Sequence, residues 1–144
     1  MTAVIQVTDL IGIPFEHGGR DITKAVDCFG LLMECHRRIG VEIPDFRSPQ
    51  FHHEIEAKLA VEKREWITHA ERDGPEQIPL TAMLPARSLL IKVRGSACHV
   101  GFIHKPGWFI HTWEDTNGVT QERLSLWKQR ILGVYEFHGR TSLG

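Results

Sequence analysis

The chain has 144 residues, 42% hydrophobic and 24% charged, enough for one full hydrophobic core and too little for two. Seventeen Lys and Arg against 18 Asp and Glu leave a net charge of -1, so the basic footprint of a nucleic-acid binder is missing and nucleic acid is not an expected partner. The 3 cysteines are an odd number, which argues against a disulfide framework, and no stretch approaches the roughly 18 apolar residues of a membrane span, so no membrane insertion is expected.

Residues 3–11 are short and apolar, and Val7, Leu10 and Ile11 fit a short helix that Gly12 ends. Ile13 to Asp21 is a loop, in which Pro14 fixes a dihedral and Gly18-Gly19 permits positive φ or a close backbone approach. Asp27 is a good N-cap for a helix, in which Cys28, Leu31, Leu32, Cys35 and Ile39 form an apolar stripe before the stop at Gly40. A thiol in that first turn meets the positive end of the helix, which favours thiolate over thiol. Val41 to Phe46 reads as extended loop. Ser48-Pro49 opens a long helix over 49–73 with Phe51, Ile55, Leu59, Trp66 and Ile67 on one face. Gln77 to Arg87, with Pro79 and Pro85, reads as irregular.

From Ser88 the period becomes strand-like: Leu89–Val93, Cys98–Ile103 and Trp108–Trp113, the last two joined by a turn at Lys105-Pro106-Gly107. Val119 to Arg123 reads as extended, Leu124 to Gln129 as a short helical turn, and Ile131 to Phe137 as a final strand. Helices first and strands after define a single α+β domain over 1–144, its N-terminal helices packed on a C-terminal antiparallel sheet.

The hairpin turning near Lys105 brings His99 and His111 to opposite or diagonal positions on neighbouring strands, where their imidazoles can meet. If the Cys28 helix packs its N-terminus there, a thiol, a base and an orienting group stand in line, the logic of an activated nucleophile. Cys35, two helical turns along from Cys28, and Cys98, on the opposite sheet face from His99, read as core packing, the usual place of a free cysteine. One Cys and two His could also hold zinc with an open fourth position, but the close ligand pairs of familiar zinc motifs are missing, and no metal or cofactor is expected. His36, His52, His53, His69, His104 and His138 read as solvated surface.

The ordered blocks Ile13-Pro14-Phe15-Glu16-His17-Gly18-Gly19, Asp27-Cys28-Phe29-Gly30-Leu31, His99-Val100-Gly101-Phe102-Ile103, Gly107-Trp108-Phe109-Ile110-His111 and Gly118-Val119 resemble the NlpC family of papain-like cysteine peptidases. Members cut the peptides of bacterial cell walls. The resemblance spans about residues 10–135 and implies a papain-like fold. It also implies Cys28 as nucleophile, His99 as general base, His111 as orienter of the His99 ring, and Asp27 as holder of the substrate's free amine. The implied reaction is attack on an amide carbonyl, commonly the γ-D-glutamyl bond to diaminopimelate or lysine, through an acyl-enzyme, with the Cys28 N–H as one oxyanion donor.

Phe15 departs from the pattern. Many relatives carry Tyr there, whose hydroxyl helps the oxyanion site; Phe15 has no such donor, which leaves lower turnover or another donor such as His17. Phe29 after the nucleophile, the following Gly30-Leu31 and the Ile43-Pro44-Asp45 segment resemble the phage-tail and prophage branch of the family. The N-terminus lacks the basic and apolar regions of an export signal, so the expectation is cytoplasmic synthesis, association with a virion tail and action at the bacterial wall. Two alternatives stay open: a structural tail-assembly module with little catalysis, and a papain-like amidase or acyltransferase. The 49–73 helix reads as a cover for the sheet or core, with a wall of the substrate groove or a dock for a tail protein as the functional alternative.

Overall fold

The computed structural model describes residues 4–43, 75–93 and 96–137, and for 75–77 and 96–98 the backbone alone. The helix expected over 49–73, the surface placement of His52, His53, His69 and His138, and the side chain of Cys98 lie outside the described residues.

Helix α1 (Cys28–Arg38) starts where the capping chemistry predicts: Asp27 is extended and its side chain accepts from the Gly30 N–H. Cys28, Leu31, Leu32 and Cys35 bury the predicted stripe, and Ile39 packs against the same cluster. Burying each leucine contributes about 1.5–3 kcal/mol. Glu34, on the outer side, holds Arg37 and Arg38 one turn on. Gly40 then leaves the helix with φ 80°, the left-handed conformation that favours glycine.

The helix expected over 3–11 is reduced to a 3-10 turn at Thr8–Leu10. Its backbone is used elsewhere: the Ile5 N–H donates to the His104 carbonyl, and Arg38 of α1 reaches the Gln6 carbonyl and the Asp9 carboxylate. The loop from Ile13 also contains more order than expected. Arg20–Asp21 (β1) and Ala25–Val26 (β2) form an antiparallel ribbon, and Phe15 makes an isolated parallel bridge to Val26. Two-residue strands carry no readable period, which is why the sequence shows only a loop.

The remaining strands are Pro75–Ile78 (β3), Ser88–Val93 (β4), Ser96–Lys105 (β5), Trp108–His111 (β6), Thr120–Arg123 (β7) and Ile131–Phe137 (β8). They form one antiparallel sheet in the order β3-β8-β4-β5-β6-β7. Every expected strand is present, with β5 longer and β6 shorter than predicted. β3 is a correction, because it extends into the stretch read as irregular from Gln77. Pro75 is its first residue on a sheet edge, a place where a missing donor is tolerated. The β5–β6 turn closes at Gly107, φ 81°, and a short helix α2 (Leu124–Trp127) with a 3-10 turn at Lys128–Arg130 leads into β8.

Alternation along the strands gives the sheet two apolar faces. Leu90, Val100, Phe102, Ile110, Tyr135 and Phe137 pack with α1 and the N-terminal segment. Leu89, Ile91, Ile103, Phe109 and Val134 pack on the other face with Leu124 and Trp127 of α2. The α+β class holds, but where several N-terminal helices were expected, α1 is the one α-helix before the sheet among the described residues. No described helix is long and apolar enough to cross a membrane.

His36 and His104 are corrections, since both are buried rather than solvated. His36 follows Leu32 by one turn, so it shares the apolar stripe. Its ring lies edge-on to Phe102 and Phe137, with Nδ1 on the Leu32 carbonyl and Nε2 3.3 Å from Ser88 Oγ. His104 alternates onto the same sheet face as Phe102, and its Nε2 pairs with Gln121 Oε1.

Two outcomes follow from this packing. A Cβ on Gly30 would stand 2.3 Å from the Gly19 carbonyl oxygen, so Gly30→Ala should lose about 1–3 kcal/mol despite the ~1 kcal/mol that alanine gains in a helix. A urea midpoint raised by the substitution would contradict this close packing.

Burial pushes the His36 imidazole down to about 4. The unfolded chain then takes up a proton near pH 6.5 that the folded chain refuses until about 4, so stability is full above pH 6.5 and falls as the pH drops towards 4. The effect is on the order of 3 kcal/mol. His104 and His111, also lowered by burial, act in the same direction. Chemical denaturation of His36→Leu across this window should give a shallower decline than wild type; an equal slope would remove His36 from the account.

Candidate active site

The site begins with a joint between loop and helix. Asp27 is 3% exposed and uses both carboxylate oxygens: Oδ1 accepts from the Gly30 N–H at 2.7 Å and from Arg20 Nη1 at 2.6 Å, and Oδ2 accepts from the Gly18 N–H at 3.0 Å. The Gly19 carbonyl accepts from the Asp27 N–H and from Arg20 Nη1. The glycine pair thus serves both purposes that the sequence offered: Gly18 has φ 74°, and Gly19 comes so close to β2 that a Cβ would meet the Ala25 carbonyl oxygen at 2.6 Å. Cys28 therefore leaves the cap at a fixed position, buried in the field of the α1 N-terminus.

The two aromatic residues of the upstream loop are placed beside this joint. Phe15 is bridged to Val26, two residues before Cys28, and its ring meets the His17 ring edge-on at 5.0 Å. His17 Nε2 lies 3.2 Å from Glu114 Oε1. The loop is tied on its other side by the Val119 N–H on the Ile13 carbonyl and the Gly12 N–H on the Val119 carbonyl. Residues far apart in sequence thereby frame the start of α1.

His99 and His111 come together as the hairpin predicts. The β5–β6 register pairs Phe102 with Ile110, which makes the two histidines diagonal neighbours, and His99 Nε2 lies 2.7 Å from His111 Nδ1. Both rings are buried, against Phe109, Trp113 and Trp127. They stand at the end of the hairpin away from its turn, where β6 ends and β5 shifts register against β4 beside Ile91. α1 packs on β5 and β6, and Cys28 shares a cluster with Val100 and Ile110, the chain neighbours of His99 and His111.

Sequence reasoning did not single out Glu122. β7 pairs with β6 so that His111 faces Thr120 and Phe109 faces Glu122, and Glu122 is diagonal to His111 on the same sheet face. Its Oε2 lies 2.7 Å from His111 Nε2, and its Oε1 accepts from Trp127 Nε1 at 2.9 Å. A readable signal existed in the segment Thr120 to Arg123, where Glu122 alternates with Gln121, but it acquires meaning only once the register with β6 is known. Burial holds the His111 imidazole below its ordinary value, against the opposing pull of the Glu122 carboxylate.

This arrangement, a helix that opens on a cysteine and packs on an antiparallel sheet carrying a histidine pair, is the papain-like class of α+β fold. A profile of the NlpC/P60 family matches residues 12–136, and the chain belongs to that family. Similar solved structures include a lipoprotein-like NLP/P60 protein of Staphylococcus aureus, 17% identical with a TM-score of 0.57 over 89% of this chain and 37% of that one. The NlpC/p60 domain of the peptidoglycan hydrolase SagA is 17% identical with a TM-score of 0.56, covering 88% of this chain and 89% of that one. NlpC2 from Trichomonas vaginalis is 14% identical with a TM-score of 0.62, covering 90% and 44%. The chain thus spans less than half of the Staphylococcus and Trichomonas chains. No curated protein sequence matches it.

The two described cysteines differ in setting. Cys28 opens α1, whereas Cys35 is two turns on, where burial pushes its thiol far above the ordinary range. Iodoacetamide near pH 6, followed by peptide mapping, should modify Cys28 first and leave Cys35 unmodified in the folded protein. Labelling of Cys35 before Cys28 would overturn the contrast.

Proposed function

We propose that the chain is a cysteine peptidase acting on peptidoglycan stem peptides, with Cys28 as nucleophile, His99 as general base and His111 as orienter. The observation that carries this reading is the buried His99–His111 pair at 2.7 Å, on the two strands whose Val100 and Ile110 share a core cluster with Cys28. Cys28 Sγ attacks the amide carbonyl while His99 Nδ1 takes the thiol proton, and the same proton goes to the leaving amine as the acyl-enzyme forms. Water then attacks the thioester, again with His99 as base, and releases the acid. The Cys28 N–H at the helix start is one oxyanion donor, and His17, held edge-on to Phe15, supplies the second in place of the missing hydroxyl.

The γ-D-glutamyl bond to diaminopimelate or lysine is the proposed target, and Asp27 the carboxylate that receives the peptide's free amine. An incoming ammonium takes the place of Arg20 at Oδ1, since Gly30 and Gly18 are needed to hold the cap. The setting on a phage or prophage tail, with synthesis in the cytoplasm and action at the wall, rests on Phe29, Gly30-Leu31 and Ile43-Pro44-Asp45. Recovery of the protein in purified tail particles tests it; recovery outside them alone counts against it.

A second reading is a structural tail module with little catalysis, favoured by Phe15, which cannot donate to an oxyanion. Mass analysis of products from purified wall fragments separates the two and also reveals an amidase or acyltransferase by the bond it breaks or makes. Cys28→Ala and His99→Ala should each abolish cleavage of a γ-D-glutamyl-diaminopimelyl peptide, and N-acetylation of that peptide should weaken its turnover by wild type. His111→Asn should retain more activity than His111→Ala. Unchanged turnover in Cys28→Ala or His99→Ala would sink the mechanism, equal loss in the two His111 variants the orienting role, and equal turnover of the acetylated peptide the role of Asp27.

A further inference from the structure

The imidazole pair alone does not say which nitrogen of His99 is the base. In isolation His99 and His111 can share one proton in either direction, with Nε2–H of His99 donating to Nδ1 of His111 or the reverse. The two directions differ at the reacting end. The first leaves the lone pair of a neutral His99 on Nδ1, and the second places a proton there, so that His99 cannot accept another from a thiol at that atom.

We propose that Glu122 is a positioning residue of this site, setting through His111 the direction of the His99–His111 hydrogen bond and so keeping His99 Nδ1 as the base. The inference rests on the peptidase reading for its consequence in catalysis, while the hydrogen-bond direction stands on geometry alone. An ionised carboxylate can only accept. With Oε2 2.7 Å from His111 Nε2, it selects the Nε2–H tautomer of a ring that is fully buried. Nδ1 of His111 is then an obligate acceptor, 2.7 Å from His99 Nε2.

Trp127 makes the assignment rigid. Its indole N–H, a donor that cannot accept, occupies Glu122 Oε1 at 2.9 Å, and its ring lies edge-on to His111 with centroids 5.0 Å apart. α2 therefore aims the carboxylate, the carboxylate fixes His111, and His111 fixes His99. The chain of donors runs one way, from His99 to His111 to Glu122, with Trp127 closing it from the other side.

The isosteric Glu122→Gln variant gives a sharp expectation. Trp127 Nε1–H must keep an acceptor, so the glutamine oxygen faces Trp127 and its NH2 group faces His111 Nε2. That nitrogen then has to accept, His111 carries its proton on Nδ1, and His99 is forced to the Nδ1–H form. Adding Trp127→Phe frees the glutamine to turn its oxygen towards His111, which restores the original direction. His111→Asn also preserves it, since an amide offers an acceptor to His99 and a donor to Glu122.

The test is long-range 1H–15N spectroscopy of histidine-labelled protein in the Cys28→Ala background, where no thiol exchanges protons with His99, at a pH where the imidazoles are neutral. The parent should show Nε2–H on both His99 and His111, Glu122→Gln should show Nδ1–H on both, and Glu122→Gln with Trp127→Phe should return to Nε2–H. With Cys28 present, Glu122→Gln should lose about 100-fold in kcat with little change in KM, and the double variant should recover most of it. Nδ1–H on His111 in the parent, or unchanged tautomers in Glu122→Gln, would overturn the proposal, and the parent spectrum decides even if a variant fails to fold. Reversed tautomers with kcat within twofold of wild type would also overturn it. Absence of any peptidase activity in wild type would refute the peptidase reading while leaving the tautomer assignment to stand or fall on the spectra.

Discussion

The structure depends on one carboxylate. Asp27 caps α1, holds the Gly18 N–H and takes the Arg20 guanidinium, so a single buried group joins the upstream loop, the β1–β2 ribbon and the helix that carries Cys28. An anion at this depth is costly unless each lone pair is used. Here it meets two backbone N–H groups and a cation, and the positive end of α1 adds to the compensation. The close approach of Gly19 to Gly30 is the steric counterpart of the same joint: the carbonyl that Arg20 and Asp27 bind occupies the volume where any side chain on residue 30 would lie.

The sheet solves a second problem, which is to bury two imidazoles with a polar partner for each. His99 and His111 alternate onto the face that carries Phe109 and Trp127, while Val100 and Ile110 between them pack under α1. The low-dielectric side of the sheet keeps His111 neutral, and the diagonal register with β7 supplies the carboxylate that its Nε2–H requires. Packing and proton bookkeeping are thus settled by the same strand alternation.

Much of this was legible in the residues. The start and end of α1 follow from Asp27 and Gly40, its buried face from the spacing of Cys28, Leu31, Leu32 and Cys35, and the histidine pair from the length of the turn between β5 and β6. Local rules suffice where the determining partners are close in sequence. They fail where a distant partner decides: β3 is a strand because β8 pairs with it, His36 is buried because Phe102 and Phe137 close over it, and Glu122 joins the histidines through a β6–β7 register that its own segment does not reveal. The ribbon of β1 and β2 is too short to carry a period at all. Phe15 and His17 lie in a loop that is tied to Val26 and Val119 by backbone hydrogen bonds, partners that its own sequence does not reveal.

The strand order has a consequence for the birth of the molecule. β8, the last described strand in sequence, lies between β3 and β4, so β3 stays unjoined to the rest of the sheet until residue 137 has been made. A ribosome adding residues one by one therefore exposes α1 and its cysteine long before the sheet can close, and early compaction around β4, β5 and β6 leaves the β4 edge unpaired. The last described strand acts as a latch: the sheet that packs under α1 is complete only once residue 137 has emerged.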